Sequence, residues 1–373
     1  MTDTDLGIRF IVEPAGWQLT ESERALLRDL KPAGIMLRKR NFRHELPYAE
    51  WLSTYAQLLT ECRQAIGRAS IIVSVDHEGG GVHRFPPPIT RFPYAATYGA
   101  SPEAVFQVAS GMGIELASLG INLSFSPVAD IHSNVANPVI NERAYGTTAK
   151  EVSAAAVACA RALRQQGVVP CAKHFPGHGD TASDSHFAVP VLARTRRELE
   201  SRELLPFKAL IDDGIEMIMS AHLMVPEIDG SNQATVSPAI MTDLLRVQLG
   251  FSGLSIADAL GMQGIHGAVR SGSFPALGHK AGLDLFLVVG DTVSIADACS
   301  LRNQFADALS QGELDVRSVL ATEERIGRFL ASLAQPQVSK LSTDILAKNS
   351  ALANTLAANA PWSSFRFNPV GFE

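Results

Sequence analysis

Cysteine is scarce: Cys62, Cys159, Cys171 and Cys299 stand far apart in 373 residues, with no Cys-x-x-Cys pair. That excludes a disulfide-stapled scaffold and a cysteine zinc site, and leaves reduced, buried thiols. Long apolar runs are missing too. Stretches such as Leu285 to Val289 fall far short of the ~20 residues that span a bilayer, so no membrane partner is expected. The opening residues, Met1-Thr2-Asp3-Thr4-Asp5, carry neither a positive segment nor an apolar one, so no secretory signal is expected and the expected compartment is the cytoplasm. No basic run interleaved with aromatics offers a track for phosphates, and 32 Lys plus Arg against 38 Asp plus Glu leave a net charge of −6. A nucleic-acid partner is therefore not expected. Low-complexity tracts and internal repeats are absent.

What is present is the composition of a globular protein, 46% hydrophobic and 19% charged, which can bury a large core. At ~150 residues per domain the length would hold two or three domains, although an α/β barrel absorbs most of it alone. Short β-rich apolar runs recur at Ile8 to Val12, Gly34 to Leu37, Ser70 to Val75, Asn122 to Ser126, Val168 to Ala172, Met217 to Ala221, Leu254 to Ala257 and Leu283 to Val289. Between most of them lies helix-start chemistry. Thr20-x-x-Glu23, Thr148-x-x-Glu151 and Thr195-x-x-Glu198 are capping boxes, and Ser101-Pro102 and Ser237-Pro238 read as an N-cap followed by proline at the first helical position.

Continuous apolar strands separated by helices imply parallel pairing with both sheet faces covered, and eight such units favour a single-domain (β/α)₈ barrel of the TIM type over an open sheet. Chemistry is then expected at the C-terminal ends of the strands, where the βα loops converge. Beyond about Arg328 the pattern weakens. Residues Thr343 to Ala358 read as a polar-faced helix, followed by an aromatic tail from Trp362 to Phe372. The division expected is a catalytic barrel over 1–335 and, over 336–373, a C-terminal helix and tail that pack on the barrel or on a partner subunit.

The strand ends are rich in titratable groups. After the third strand, Asp76-His77-Glu78-Gly79-Gly80-Gly81 sets two carboxylates beside three glycines. That suits a loop whose backbone approaches a ligand closely while the acids accept hydroxyl hydrogen bonds; a tight solvated turn is the bland alternative. The fifth strand runs into Lys173-His174-Phe175-Pro176-Gly177-His178-Gly179-Asp180-Thr181-Ala182-Ser183-Asp184-Ser185-His186, one Lys, three His and two Asp in 14 residues. Surface loops seldom collect so many. Asp184 and His186 are two apart, so in an extended segment they share a face, and the carboxylate would hold the imidazole protonated near neutrality as a general acid requires. The seventh strand ends at Asp258, which reads equally as an N-cap for the next helix or as a catalytic acid at the barrel's working end. Arg143 follows the fourth strand, a candidate for anion or hydroxyl binding or for a surface ion pair.

Together these segments resemble the bacterial β-N-acetylglucosaminidases of glycoside hydrolase family 3. The resemblance runs from Arg40-Asn41 through Asp76-x-Glu78-Gly79-Gly80, Ser126-Pro127-Val128-x-Asp130, Asn137-Pro138-Val139-x-x-x-Arg143 and Lys173-His174-Phe175-Pro176-Gly177-His178-Gly179-Asp180-Thr181 to Asp258-x-Leu260-x-Met262. By that similarity Asp258 matches the nucleophile, Asp184 and His186 match the dyad whose histidine is the acid/base, and Asp76, Arg143, Lys173 and His174 match sugar-binding positions. Gly81 stands where an Arg is usual, and Ala257-Asp258-Ala259 replaces the commoner Ser-Asp-Asp. The family's β-glucosidases carry a second α/β domain and a Trp after the nucleophile, which this chain lacks, so the acetamido-sugar branch is favoured.

The resemblance implies a retaining exo-β-N-acetylglucosaminidase that works without metal or organic cofactor. Its implied substrate is a GlcNAc-containing disaccharide or muropeptide from peptidoglycan turnover. Three rivals are weighed beside it. A phosphorylase on the same site fits because a histidine acid/base repels incoming phosphate less than a carboxylate does. A metal-dependent barrel hydrolase would use His174, His178, His222 and Asp258 as ligands, but would leave Lys173 beside the ion. A silent sugar-binding protein would have no need to keep Asp258, Asp184 and His186 together.

Overall fold

A computed structural model describes residues 4–181 and 189–358. The apolar runs become parallel strands: β1 (Phe10–Val12), β2 (Gly34–Leu37), β3 (Ile72–Val75), β4 (Leu123–Ser124), β5 (Val169–Phe175), β6 (Met217–Ser220), β9 (Leu254–Ala257) and β10 (Phe286–Val288). An antiparallel pair, β7 (Met224–Val225) and β8 (Asp229–Gln233), lies between β6 and β9. The sheet runs β10-β1-β2-β3-β4-β5-β6-β9, and a parallel bridge between Ile256 and Leu285 joins its last strand to the start of its first. The result is the (β/α)₈ barrel that the pattern implied.

Alternation along the strands sorts two cores. Ile11, Met36, Ile72, Leu123, Cys171, Met217, Met219, Ile256 and Leu287 fill the barrel's interior. Phe10, Val12, Ile35, Leu37, Val73 and Val75 point outward and pack with the helices. A strand buried on both faces has no polar positions to spare, which is why these runs are continuous in sequence.

The capping boxes at Thr20, Thr148 and Thr195 form, each side chain accepting the N–H of the Glu three residues on. Ser101 caps Pro102–Ser118 through the Ala104 N–H at 3.2 Å. Ser237 accepts from the Ile240 N–H at 3.3 Å, but the segment it opens, Ala239–Gln248, is wound as a π-helix. The helix Thr343–Ala358 lies on Pro102–Ser118, where Asn349 Nδ2 donates to Gly111 O at 3.3 Å and to Glu115 Oε1 at 2.8 Å. Among the described residues no helix is long and apolar enough to cross a membrane.

One boundary differs in a way that matters for chemistry. β5 runs on to Phe175 instead of stopping at Ala172, so Lys173 and His174 belong to the strand and not to the loop after it. Its register with β6 shifts between Ala172 and Phe175, a bulge. In a regular strand consecutive side chains face opposite ways; a bulge re-aims them, and here both Lys173 and His174 line the same cavity.

Candidate active site

The cavity occupies the C-terminal end of the barrel and has a volume of ≈ 260 Å³. Met36, Met219 and Leu287, from the barrel's interior layer, also line it. Around them stand Asp76, Glu78 and Arg84 after β3, Arg143 after β4, Lys173 and His174 on β5, and Asp258 after β9. Arg38, Gly290 and Asp291 line it as well; Arg38 Nη1 lies 3.0 Å from Asp291 Oδ1.

One carboxylate organises the cations. Glu78 accepts from Arg143 Nε at 2.8 Å and Nη2 at 2.9 Å, and its Oε1 lies 2.6 Å from Lys173 Nζ. Lys173 Nζ also donates to Asp76 Oδ1 at 2.6 Å. Burial alone would push the Glu78 carboxyl up, but Arg143 and Lys173 prevail and hold it well below the ordinary carboxylate range. Burial alone would lower the Lys173 ammonium, yet Asp76 and Glu78 keep it above its usual value. Glu78, expected as a hydroxyl acceptor, thus also holds two buried cations through its oxygens. Arg143, weighed as a surface ion pair, is a buried one.

The glycines of this turn have a different task from the one expected. Gly79 and Gly80 sit at φ of 93° and 54°, and a Cβ on Gly80 would fall 2.2 Å from Tyr94 Cδ1. They make the turn and pack it on Tyr94, and the cavity is lined by the side chains on either side of them.

Asp130 is the second organiser. It is fully buried and accepts from the His178 N–H at 2.6 Å and from the His174 N–H at 3.2 Å. Its Oδ2 lies 2.6 Å from His174 Nδ1. A carboxylate only accepts, so Nδ1 carries the hydrogen. His178 Nδ1 lies 2.9 Å from Thr181 Oγ1, and Asn137 Nδ2 donates to His178 O at 2.8 Å, which fastens the chain leading away from β5.

Asp258 is half-buried. Burial favours its neutral form, but His174, His222, the Ala259 N–H and Lys173 oppose this and leave the carboxyl below its ordinary value, ionised at neutrality. The N-cap alternative fails: its Oδ1 accepts from the very next N–H, Ala259, at 2.8 Å, and no helix begins there. Among the described residues no group of three or more His, Cys, Asp or Glu side chains is placed to hold a metal ion. His222, a ligand in the metal-dependent rival, has its two ring nitrogens at 2.8 Å from Thr235 Oγ1 and 3.2 Å from Asp258 O. Asp184 and His186 lie outside the described residues.

The arrangement is thus a pocket with an ionised carboxylate on one side and hydrogen-bonding groups of both signs around it. The model of the glycosyl hydrolase family 3 N-terminal domain matches residues 6–329. The chain belongs to glycosyl hydrolase family 3. A β-hexosaminidase of Chromobacterium violaceum is 36% identical over 286 residues, covering 74% of this chain and 77% of that protein. A solved family 3 β-N-acetylglucosaminidase from Paenibacillus superposes with a TM-score of 0.86 at 28% identity, covering 96% of this chain and 69% of that one. NagZ from Neisseria gonorrhoeae, solved in complex with N-trifluoroacetyl-D-glucosamine, gives 0.77 at 29% identity over 94% of this chain and 98% of that one. This family 3 chain is therefore a glycoside hydrolase whose relatives are β-hexosaminidases, as the motifs implied.

Asp76, Arg143, Lys173, His174 and Asp258, singled out from sequence, line the one cavity. Arg84, which lies 3.8 Å from Asp76 Oδ2, was not singled out, and neither was the part played by Asp130. The signal for both was in the motifs: Arg84 closes the run that begins at Asp76, and Asp130 ends Ser126-Pro127-Val128-x-Asp130.

Proposed function

We propose that this family 3 enzyme is a retaining exo-β-N-acetylglucosaminidase that removes terminal GlcNAc from muropeptides in peptidoglycan recycling. Asp258 attacks the anomeric carbon. Protonated His186, held by Asp184, gives its proton to the leaving oxygen, and a covalent glycosyl-enzyme forms with inversion. Neutral His186 then takes a proton from water, which attacks the anomeric carbon, breaks its bond to Asp258 and releases the carboxylate, completing the second inversion. Asp76, Arg143, Lys173 and His174 hold the sugar, and no step draws on a metal ion or organic cofactor.

The observation that carries this reading is Asp258, kept ionised at the wall of the cavity that Asp76, Lys173 and His174 also line. A relative that binds an N-acylated glucosamine supports the choice of sugar. Four unpaired, buried cysteines suit a reducing compartment and support the cytoplasm.

The test is kcat/KM on 4-nitrophenyl β-GlcNAc and β-glucoside, with and without phosphate. A pocket that hydrogen-bonds the 2-acetamido group leaves polar groups unpaired around glucose, at roughly 1–3 kcal/mol per group, or about 5- to 150-fold in rate. Comparable constants would refute the sugar assignment, and a phosphate-dependent rate with a sugar phosphate as product would make the enzyme a phosphorylase. Asp258→Asn is expected to keep the fold and lose nearly all turnover; near wild-type turnover would remove Asp258 from the mechanism. His186→Ala is expected to slow cleavage of a natural disaccharide more than that of an activated aryl glycoside, whose leaving group needs no proton.

A further inference from the structure

His222 follows β6 and is fully buried, and beyond its electrostatic effect on Asp258 it has no step in the chemistry proposed above. Its Nε2 lies 3.2 Å from the Asp258 carbonyl oxygen. A carbonyl only accepts, so this contact is attractive when Nε2 carries a hydrogen. Its Nδ1 lies 2.8 Å from Thr235 Oγ1, which also accepts from Ser220 Oγ at 3.1 Å and donates to Ala221 O at 2.9 Å. Burial disfavours the charged ring and pushes its pKa down. Thr235 thus ties Nδ1 to the end of β6 and leaves Nε2 facing the Asp258 carbonyl.

The carbonyl that His222 grips belongs to the peptide group joining Asp258 to Ala259. The N–H of that same planar unit points the other way and donates to Asp258 Oδ1 at 2.8 Å. The Asp258 N–H donates to Ser220 O at 3.1 Å. Turning the peptide would therefore withdraw the N–H that fixes the carboxylate.

We propose that His222, held at Nδ1 by Thr235, is a positioning residue that orients the Asp258 carboxylate through the Asp258–Ala259 peptide. This rests on Asp258 as the nucleophile. The groups assigned to the sugar stand on other strands, so the effect falls on kcat and spares KM.

The test compares His222→Leu with His222→Gln, whose side-chain amide can supply an N–H at similar reach. With 4-nitrophenyl β-GlcNAc, His222→Leu is expected to lower kcat about 10- to 100-fold with KM within about twofold of wild type, and His222→Gln to recover most of the loss. Thr235→Val guards against failure of the leucine variant to fold: kcat is expected to drop about 3- to 10-fold and Thr235→Ser to restore it. A folded His222→Leu with kcat within about twofold of wild type, a glutamine no better than leucine, or equal changes in kcat and KM would overturn the proposal. An unaltered kcat in Thr235→Val would do the same. Asp258→Asn is assayed alongside. If it retains activity, the nucleophile assignment fails; if it is dead while His222→Leu is normal, only the positioning role fails.

Discussion

Removal of the Glu78 carboxylate should expose how much of this site is held together by one group. It makes three charge-assisted bonds, at 2.8 and 2.9 Å to Arg143 and 2.6 Å to Lys173, and Arg143 and Lys173 are 7% and 2% exposed. In Glu78→Ala the Arg143 guanidinium loses its bidentate partner while still buried. Lys173 keeps Asp76. Removing one member of a buried pair costs about 3–5 kcal/mol, most of it the uncompensated charge that stays behind. Urea unfolding is the assay, with the loss read from the midpoint at unchanged slope. Glu78→Gln should recover little, because its amide nitrogen is a donor facing donors. Glu78→Leu combined with Arg143→Met should cost less than the two single changes added, by about 1–3 kcal/mol, since no orphaned charge remains. The pH dependence has a definite sign. A carboxyl depressed in the folded state stabilises above its unfolded value of about 4.3 and loses that contribution as pH falls toward the folded value. Wild type should therefore lose stability faster than Glu78→Ala below about pH 4. A cost under about 1 kcal/mol for Glu78→Ala, or an additive cycle, would refute the reasoning.

Asp130→Asn should raise KM for aryl β-GlcNAc about tenfold or more, because an amide presents one acceptor where His174 Nδ1 and the His178 N–H now share two carboxylate oxygens; an unchanged KM would show that His174 needs no such support. Asp258, depressed below its ordinary value, stays ionised through mildly acid solution, so kcat/KM on activated aryl substrates should show no acid limb from this group above about pH 4. A limb between about pH 5 and 6 that persists in His186→Ala would contradict the assignment.

The strands were legible because parallel strands buried on both faces leave continuous apolar runs, and the helix starts because a capping box is a local signal that needs no tertiary partner. The pair β7 and β8 went unread: Asp229-Gly230-Ser231-Asn232 is polar and looks like loop, and Met224–Val225 is too short to show a period. The winding of Ala239–Gln248 was equally hidden, since residues such as Met241, Leu244 and Leu245 suit an α-helix as well as a π-helix.

The site shows a sharper limit. Residue types and their place after strands sufficed to collect Asp76, Arg143, Lys173, His174 and Asp258, because a parallel barrel brings every strand's C-terminal end to one face whatever the loops do. Which of these charges pair with one another was not available from sequence. Glu78 and Arg143 are 65 positions apart, and Asp76 and Lys173 are 97 apart. Read locally, the two acids after β3 look alike, two apart on one turn. Barrel closure distinguishes them: Glu78 meets both Arg143 and Lys173 and becomes a fixed buried anion, while Asp76 meets Lys173 through one oxygen and is more than twice as exposed, 22% against 5% for their side chains. The bulge in β5 has the same consequence. Regular alternation would send Lys173 and His174 to opposite faces of the sheet; with the register shifted, one side chain reaches Asp76 and Glu78 and the next reaches Asp130, and both stay on the cavity wall. A lysine between an apolar strand and a proline-glycine turn reads as the first residue of a loop, since a buried ammonium is affordable only where carboxylates from other strands await it.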